Sequence, residues 1–190
     1  LYVNISINDK NDIQNPEYKN LVDNINILSI YNSLTITYSK NIGLDLGGFI
    51  KSYLKILELN LKYKHIIKIH SKQNTNWRFC MLYCLLGSEK IIKTNFKLLE
   101  SEKLGMIGNN KIRLAKDELV GNVFNVKNTN KNINEYIPGG IFWIKGEILN
   151  YYLSKQNLEN IYKDEKKMLE LEKVFGILVS SYGMFTHSYT

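Results

Sequence analysis

Cysteine is nearly absent from this chain: Cys80 and Cys84 are the only two, four apart in an apolar stretch, and no histidine stands at zinc-finger spacing from them. A disulfide framework is thereby excluded, and the pair is expected to be reduced thiols in the core. Proline is equally scarce, at two residues, and no low-complexity or repeated tract divides the 190 residues, so a single domain with a sizeable core is expected. No apolar run approaches the roughly 18 residues of a membrane span, and no signal peptide opens the chain, which predicts a soluble, cytoplasmic protein. Association with the inner face of a membrane stays open. Arginine is confined to Arg78 and Arg113, so the net charge of +7 is carried by lysine. That charge favours anionic partners such as nucleotide diphosphates or lipid head groups. It lacks the arginine-rich, aromatic-interleaved pattern of an RNA-binding sheet, and no specific nucleic-acid partner is expected.

Catalytic signatures are missing too. GLDLGG at 43 to 48 is neither a dinucleotide fingerprint nor a phosphate loop, and GMIGNNK at 105 to 111 fails the latter as well, so nucleotide hydrolysis is not expected. No Ser/His/Asp or Cys/His nucleophile motif appears.

What is present centres on residues 41 to 78. Gly43, Gly47 and Gly48 allow a sharp turn or a close backbone approach, with Asp45 among them to cap amides or to accept a hydrogen bond from a ligand hydroxyl. From Phe49, the apolar residues Ile50, Tyr53, Leu54, Leu57 and Leu61 follow helical spacing. His65 to Ile69 is short and β-branched, and it reads as an interior parallel strand of a βαβ unit whose carboxyl end faces a ligand crevice. Lys68, His70 and Lys72 cluster there as donors suited to an anion, and Trp77 and Arg78 open the next helix. The structural alternatives are a plain strand-to-helix turn for the glycines, a solvated strand end for His70 and Lys72, and a snorkelling side chain for Lys68.

The rest alternates in the same manner. Strands are expected at 1 to 7, 34 to 38, 104 to 107 and 140 to 144, and helices at about 16 to 26, 76 to 86, 89 to 97, 146 to 153 and 164 to 180. Residues 109 to 135 read as loop with one helix at 116 to 123. The fold class is α/β, a mostly parallel sheet flanked by helices.

The chain resembles the rhamnan synthesis protein F family of glycosyltransferase-like proteins. The likeness rests on NIGLDLGGF (41 to 49), IIKIHSK (66 to 72), NWR (76 to 78), LLGS (85 to 88), LGMIG (104 to 108) and PGGIFWIKGEIL (138 to 149), in that order. It implies a GT-A-like fold and transfer of a sugar, such as rhamnose, from a nucleotide-diphosphate sugar to a glycan or lipid-linked glycan, in a domain that can be fused to other transferase modules. Donor contacts are then expected from Asn41, Gly43, Asp45, Gly47, Lys68, His70, Lys72 and Arg78, with Trp143 as an acceptor contact or a core residue. The resemblance also implies a strand and helix before Leu1, so the chain is expected to be an N-terminally truncated fragment. Glu172-Lys173-Val174-Phe175-Gly176 is similar to the family's Glu-Arg-x-Phe-Gly, which makes Glu172 the expected base, with Glu165 and Glu170 as nearby carboxylates. Leu169 stands where the family has a histidine, and Lys173 where it has an arginine; a non-catalytic carbohydrate-binding or scaffolding domain is the alternative. GT-A enzymes carry an Asp-x-Asp metal element after the strand that follows the glycine turn; here that place reads His70-Ser71-Lys72, so no metal is expected, with manganese or magnesium as the alternative.

Overall fold

The structure, a computed structural model, describes residues 2–7, 16, 19–20, 23–24, 33–39, 45–70, 74–110, 112–113, 135–138 and 140–189. It is a mixed α/β chain with six assigned helices among the described residues. Contacts divide it into two compact units, Leu1–Leu61 and Lys62–Thr190.

In the first unit, β1 (Tyr2–Ile7) and β2 (Ser33–Tyr38) pair in parallel, with Tyr2 opposite Ser33 and Ile7 opposite Tyr38. Helix α1 (Asp45–Glu58) follows and buries Leu46, Phe49, Ile50 and Tyr53, while Leu57, further along the expected stripe, is exposed. Gly47 and Gly48, expected in the turn, lie inside the helix and are buried. A Cβ on Gly48 would stand 2.9 Å from Ser6 Oγ, so the missing side chain serves the close approach of helix to strand. Of the helix expected at 16 to 26, residues 16, 19, 20, 23 and 24 are helical, and its apolar face lies outside the described residues.

The second unit holds a four-stranded sheet in the order β3-β7-β4-β8. Its strands are β3 (His65–Lys68), β4 (Leu104–Gly108), β7 (Phe142–Lys145) and β8 (Phe185–Ser188). β7 runs antiparallel to both β3 and β4, and only β4 with β8 is parallel. The expectation of a mostly parallel sheet is corrected here, as is that of β3 as an interior parallel strand: within this sheet β3 is terminal and antiparallel to its neighbour. The physical reason is that β7 enters from the segment after β4 and runs back between two strands already in place, a pairing that local periodicity does not encode. A short antiparallel pair, β5 (Ile112–Arg113) with β6 (Glu135–Tyr136), lies in the region expected to be loop, and β8 was not expected; the helix expected at 116 to 123 is outside the described residues.

Helices cover both faces of this sheet. Met81 and Leu85 of α2 (Thr75–Leu86) and Leu99 of α3 (Glu89–Leu99) pack on Ile107 and Trp143. On the other face Phe142 meets Phe175 of α6 (Glu165–Ser181) at 5.3 Å between ring centroids. α4 (Gly146–Leu153) and α5 (Leu158–Lys163) bridge β7 to α6. Asn74 and Ser88 cap α2 and α3 by accepting from the N–H groups of Trp77 and Ile91. Cys80 is exposed and Cys84 half-buried, both unbonded, so the expectation of core thiols fails for Cys80: the buried positions of α2 are its neighbours Met81 and Leu85. Among the described residues, no helix is long and apolar enough to cross a membrane.

Candidate functional site

Residues expected to bind a donor fall in both units. Asp45 is the first residue of α1, where a carboxylate complements the partial positive charge of the helix start, and Gly47 is buried two residues further on. Asn41 and Gly43 lie outside the described residues.

In the second unit, the carboxyl ends of β3, β4 and β8 and the amino end of β7 share one edge, because Lys68 pairs with Phe142, Phe142 with Gly108, and Gly108 with Ser188. Lys68 does not reach out from this edge. It is 4% exposed, and its ammonium donates to the Gly140 carbonyl at 2.6 Å and lies 5.9 Å from the Phe142 ring centroid. Gly140 has φ 66°, a left-handed conformation that glycine adopts without strain, and this turns its carbonyl toward the lysine. A lysine in the apolar run IIKI was the visible signal that a buried partner was needed; which carbonyl supplies it was not readable.

His70 is half-buried two residues past Lys68, and Lys72 lies outside the described residues. Arg78 sits half-buried in the first turn of α2, its backbone N–H bonded to Asn74 O at 3.0 Å. Trp143 is fully buried. Its indole N–H donates to Leu85 O at 3.3 Å and Phe96 packs edge-on at 4.8 Å, so it offers no face to an acceptor sugar and is a core residue. Glu165, Glu170 and Glu172 belong to α6, and their side chains are outside the described residues. Sequence reasoning passed over Asn109, which follows β4 at the same edge; its Oδ1 is buried with no hydrogen-bond partner among the described residues. A buried acceptor of this kind is suited to a donor hydroxyl or amide.

The opposite edge carries an open groove of about 460 Å³, lined among others by Tyr63, Lys64, His65, Glu100 and Lys145. Two of its lysines are engaged: Lys64 pairs with Glu100 at 3.1 Å, and Lys145 donates to the Ser101 carbonyl at 2.8 Å and stands 3.6 Å from Glu147. Tyr63 donates to Asn150 Oδ1 at 2.9 Å. Burial, reinforced by Lys64, holds the His65 imidazole below its ordinary pKa and favours the neutral ring. Its Nε2 is buried without a partner among the described residues, and its ring meets Phe96 at 5.4 Å. Nothing in the sequence marked this groove. Among the described residues no three of His, Cys, Asp and Glu gather as a metal-binding group.

The fold defines a mixed α/β protein with polar groups collected at both edges of its larger sheet. Comparison with family models, with curated proteins and with solved structures found no match to this chain.

Proposed function

We propose that the chain is a GT-A-like glycosyltransferase domain that takes a nucleotide-diphosphate sugar as donor, with rhamnose as a candidate sugar, and a glycan or lipid-linked glycan as acceptor. The observation that carries this reading is the buried hydrogen bond from Lys68 to Gly140, which joins IIKIHSK to PGGIFWIKGEIL, two of the segments that resemble the transferase family. In this reading Lys68 positions the entry into β7, and the donor's diphosphate falls to His70 and Lys72, with Arg78 as a further donor contact.

Transfer requires stabilisation of the leaving diphosphate and, for inversion, a carboxylate that takes the acceptor hydroxyl's proton; Glu172 is assigned that second role. A lysine ammonium about 4 Å from a phosphate charge contributes roughly 4 kcal/mol at an effective dielectric near 20, before desolvation, so protein cations can replace part of a metal's work. Calorimetric titration with a panel of nucleotide-diphosphate sugars tests the reading. Binding is expected to survive EDTA, to fall on the order of tenfold (about 1.4 kcal/mol) in Lys72→Ala, and to fall less in His70→Ala. No binding and no turnover across the panel would overturn the proposal. Loss on chelation, restored by manganese or magnesium, would overturn metal independence and send the search for ligands to Asp45, Asp117 and the glutamates at 165 to 172.

A second reading, a non-catalytic carbohydrate-binding domain, is favoured by Leu169 and Lys173, which depart from the family's histidine and arginine beside Glu172. Glycan binding without turnover would select it.

A further inference from the structure

Helices α2 and α3 form a hairpin across one face of the four-stranded sheet, joined at Gly87 and Ser88. Both bury the side that meets Ile107 and Trp143, so their opposite sides face the same way. On α2 that outer side carries Phe79 and Tyr83, 66% and 56% exposed, their rings stacked at 5.8 Å; Trp77, 41% exposed, lies about 160° round the helix axis from Phe79, on the other flank. α2 has no acidic residue, and it is apolar on its outer as well as its inner side, the composition of a helix covered on both. On α3 the outer side carries Lys90, Lys93 and Lys97, all exposed, and the helix's one acid, Glu89, is paired with Lys93. An aromatic ridge thus runs beside a row of lysines in a chain of net charge +7.

We propose that this face docks on the surface of an anionic bilayer, with Phe79 and Tyr83 entering the boundary between head groups and acyl chains, Trp77 at the rim of the contact and the α3 lysines lying over lipid phosphates. Phe79 has no polar atom to satisfy in water, and Trp and Tyr are the side chains that suit a membrane interface. Lysine near an anionic membrane surface is attracted as a point charge, and an apolar ridge flanked by such charges is the composition of an interfacial helix. A single-stranded nucleic acid fits less well, because Phe79 and Tyr83 stack on each other and occupy ring faces that bases would need.

Co-sedimentation of the chain with vesicles of phosphatidylcholine alone, and of phosphatidylcholine mixed with phosphatidylserine, tests this. Binding is expected to the mixed vesicles, weakened by salt. The chain has two tryptophans and Trp143 is fully buried, so a blue shift of emission on binding, and quenching by brominated lipid, report Trp77. Replacing Lys90, Lys93 and Lys97 by alanine is expected to lower partitioning about fivefold per lysine, the equivalent of about 1 kcal/mol per charge. Phe79→Ser combined with Tyr83→Ser should abolish the blue shift; if that double variant does not fold, the lysine series and the lipid quenching still decide. The proposal is overturned if the chain ignores anionic vesicles, or binds them without shift or quenching. It is equally overturned if the variants bind as the parent does, or if the ridge instead mediates self-association or tighter binding to a single-stranded oligonucleotide.

Discussion

The two units hold their strands together by different means. On one side of the β1–β2 pair, Thr35 Oγ1 accepts from Asn4 Nδ2 at 2.7 Å and is hydrogen-bonded to Tyr2 OH at 2.5 Å, Thr37 donates to Asn4 Oδ1 at 3.1 Å, and Ser6 meets Ser39 at 3.3 Å. α1 approaches that polar side through Gly48, while Ile36 and Tyr38 remain exposed. The four-stranded sheet is the reverse: every residue of β7 is buried, and the polar side chains Lys68, Trp143 and Lys145 each donate to a backbone carbonyl outside the strands, of Gly140, Leu85 and Ser101. A parallel pair two strands wide cannot bury both faces, so it draws on cross-strand side-chain hydrogen bonds, each of modest net value; a central strand covered by helices draws on packing. Substitutions should therefore damage the two units unequally.

The largest effect is expected at Trp143, where Trp143→Ala removes the biggest buried side chain and leaves a cavity between β7, α2 and α3; a loss of about 3–5 kcal/mol is expected in denaturant unfolding followed by circular dichroism. A loss below about 1 kcal/mol would mean that packing does not dominate this unit.

Next is Lys68→Met, which keeps the aliphatic stem and leaves the Gly140 carbonyl without its ammonium donor. The cost is expected at about 1–3 kcal/mol, the penalty for an unsatisfied buried acceptor. If Lys68 contacted donor phosphate directly, donor affinity would fall further than this loss of stability explains.

In the first unit, Thr35→Val preserves branching and deletes the hydroxyl that bonds Tyr2 and accepts from Asn4. A destabilisation of about 1 kcal/mol is expected, read as faster hydrogen exchange at 33–38 with no change in exchange at 142–145. A neutral result would show that the polar ladder adds nothing to the parallel pair.

The smallest effect concerns pH. Burial first, then Lys64, lowers the folded-state pKa of His65 below its ordinary 6.5, while Glu100 partly opposes them. The unfolded chain therefore takes up a proton more readily than the folded one. Stability is complete above pH 6.5 and declines as pH falls below it. His65→Phe, which preserves a ring against Phe96, should flatten that decline in thermal melts between neutral and mildly acid pH; an unchanged slope would remove His65 as its source.

Much of the local structure was legible because period and punctuation are local properties. The alternation in Tyr2–Ile7, the serine at Ser88 that opens the second helix of the hairpin, and the apolar run Phe142–Lys145 each sit where the residues indicate, whereas the cap at Asn74 falls in what reads as loop. Resemblance and composition also brought Lys68 and Gly140 to notice, though as members of separate segments.

The sequence by itself thus determined most of the helical and extended stretches among the described residues, β5, β6 and β8 excepted. Only the tertiary structure decided that β7 runs antiparallel between β3 and β4, that Lys68 turns inward to Gly140, that Trp143 is core, and that α2 and α3 pack together on one face of the four-stranded sheet. Those outcomes depend on contacts between residues tens of positions apart. Their free energy comes from burial and pairing that no local window contains.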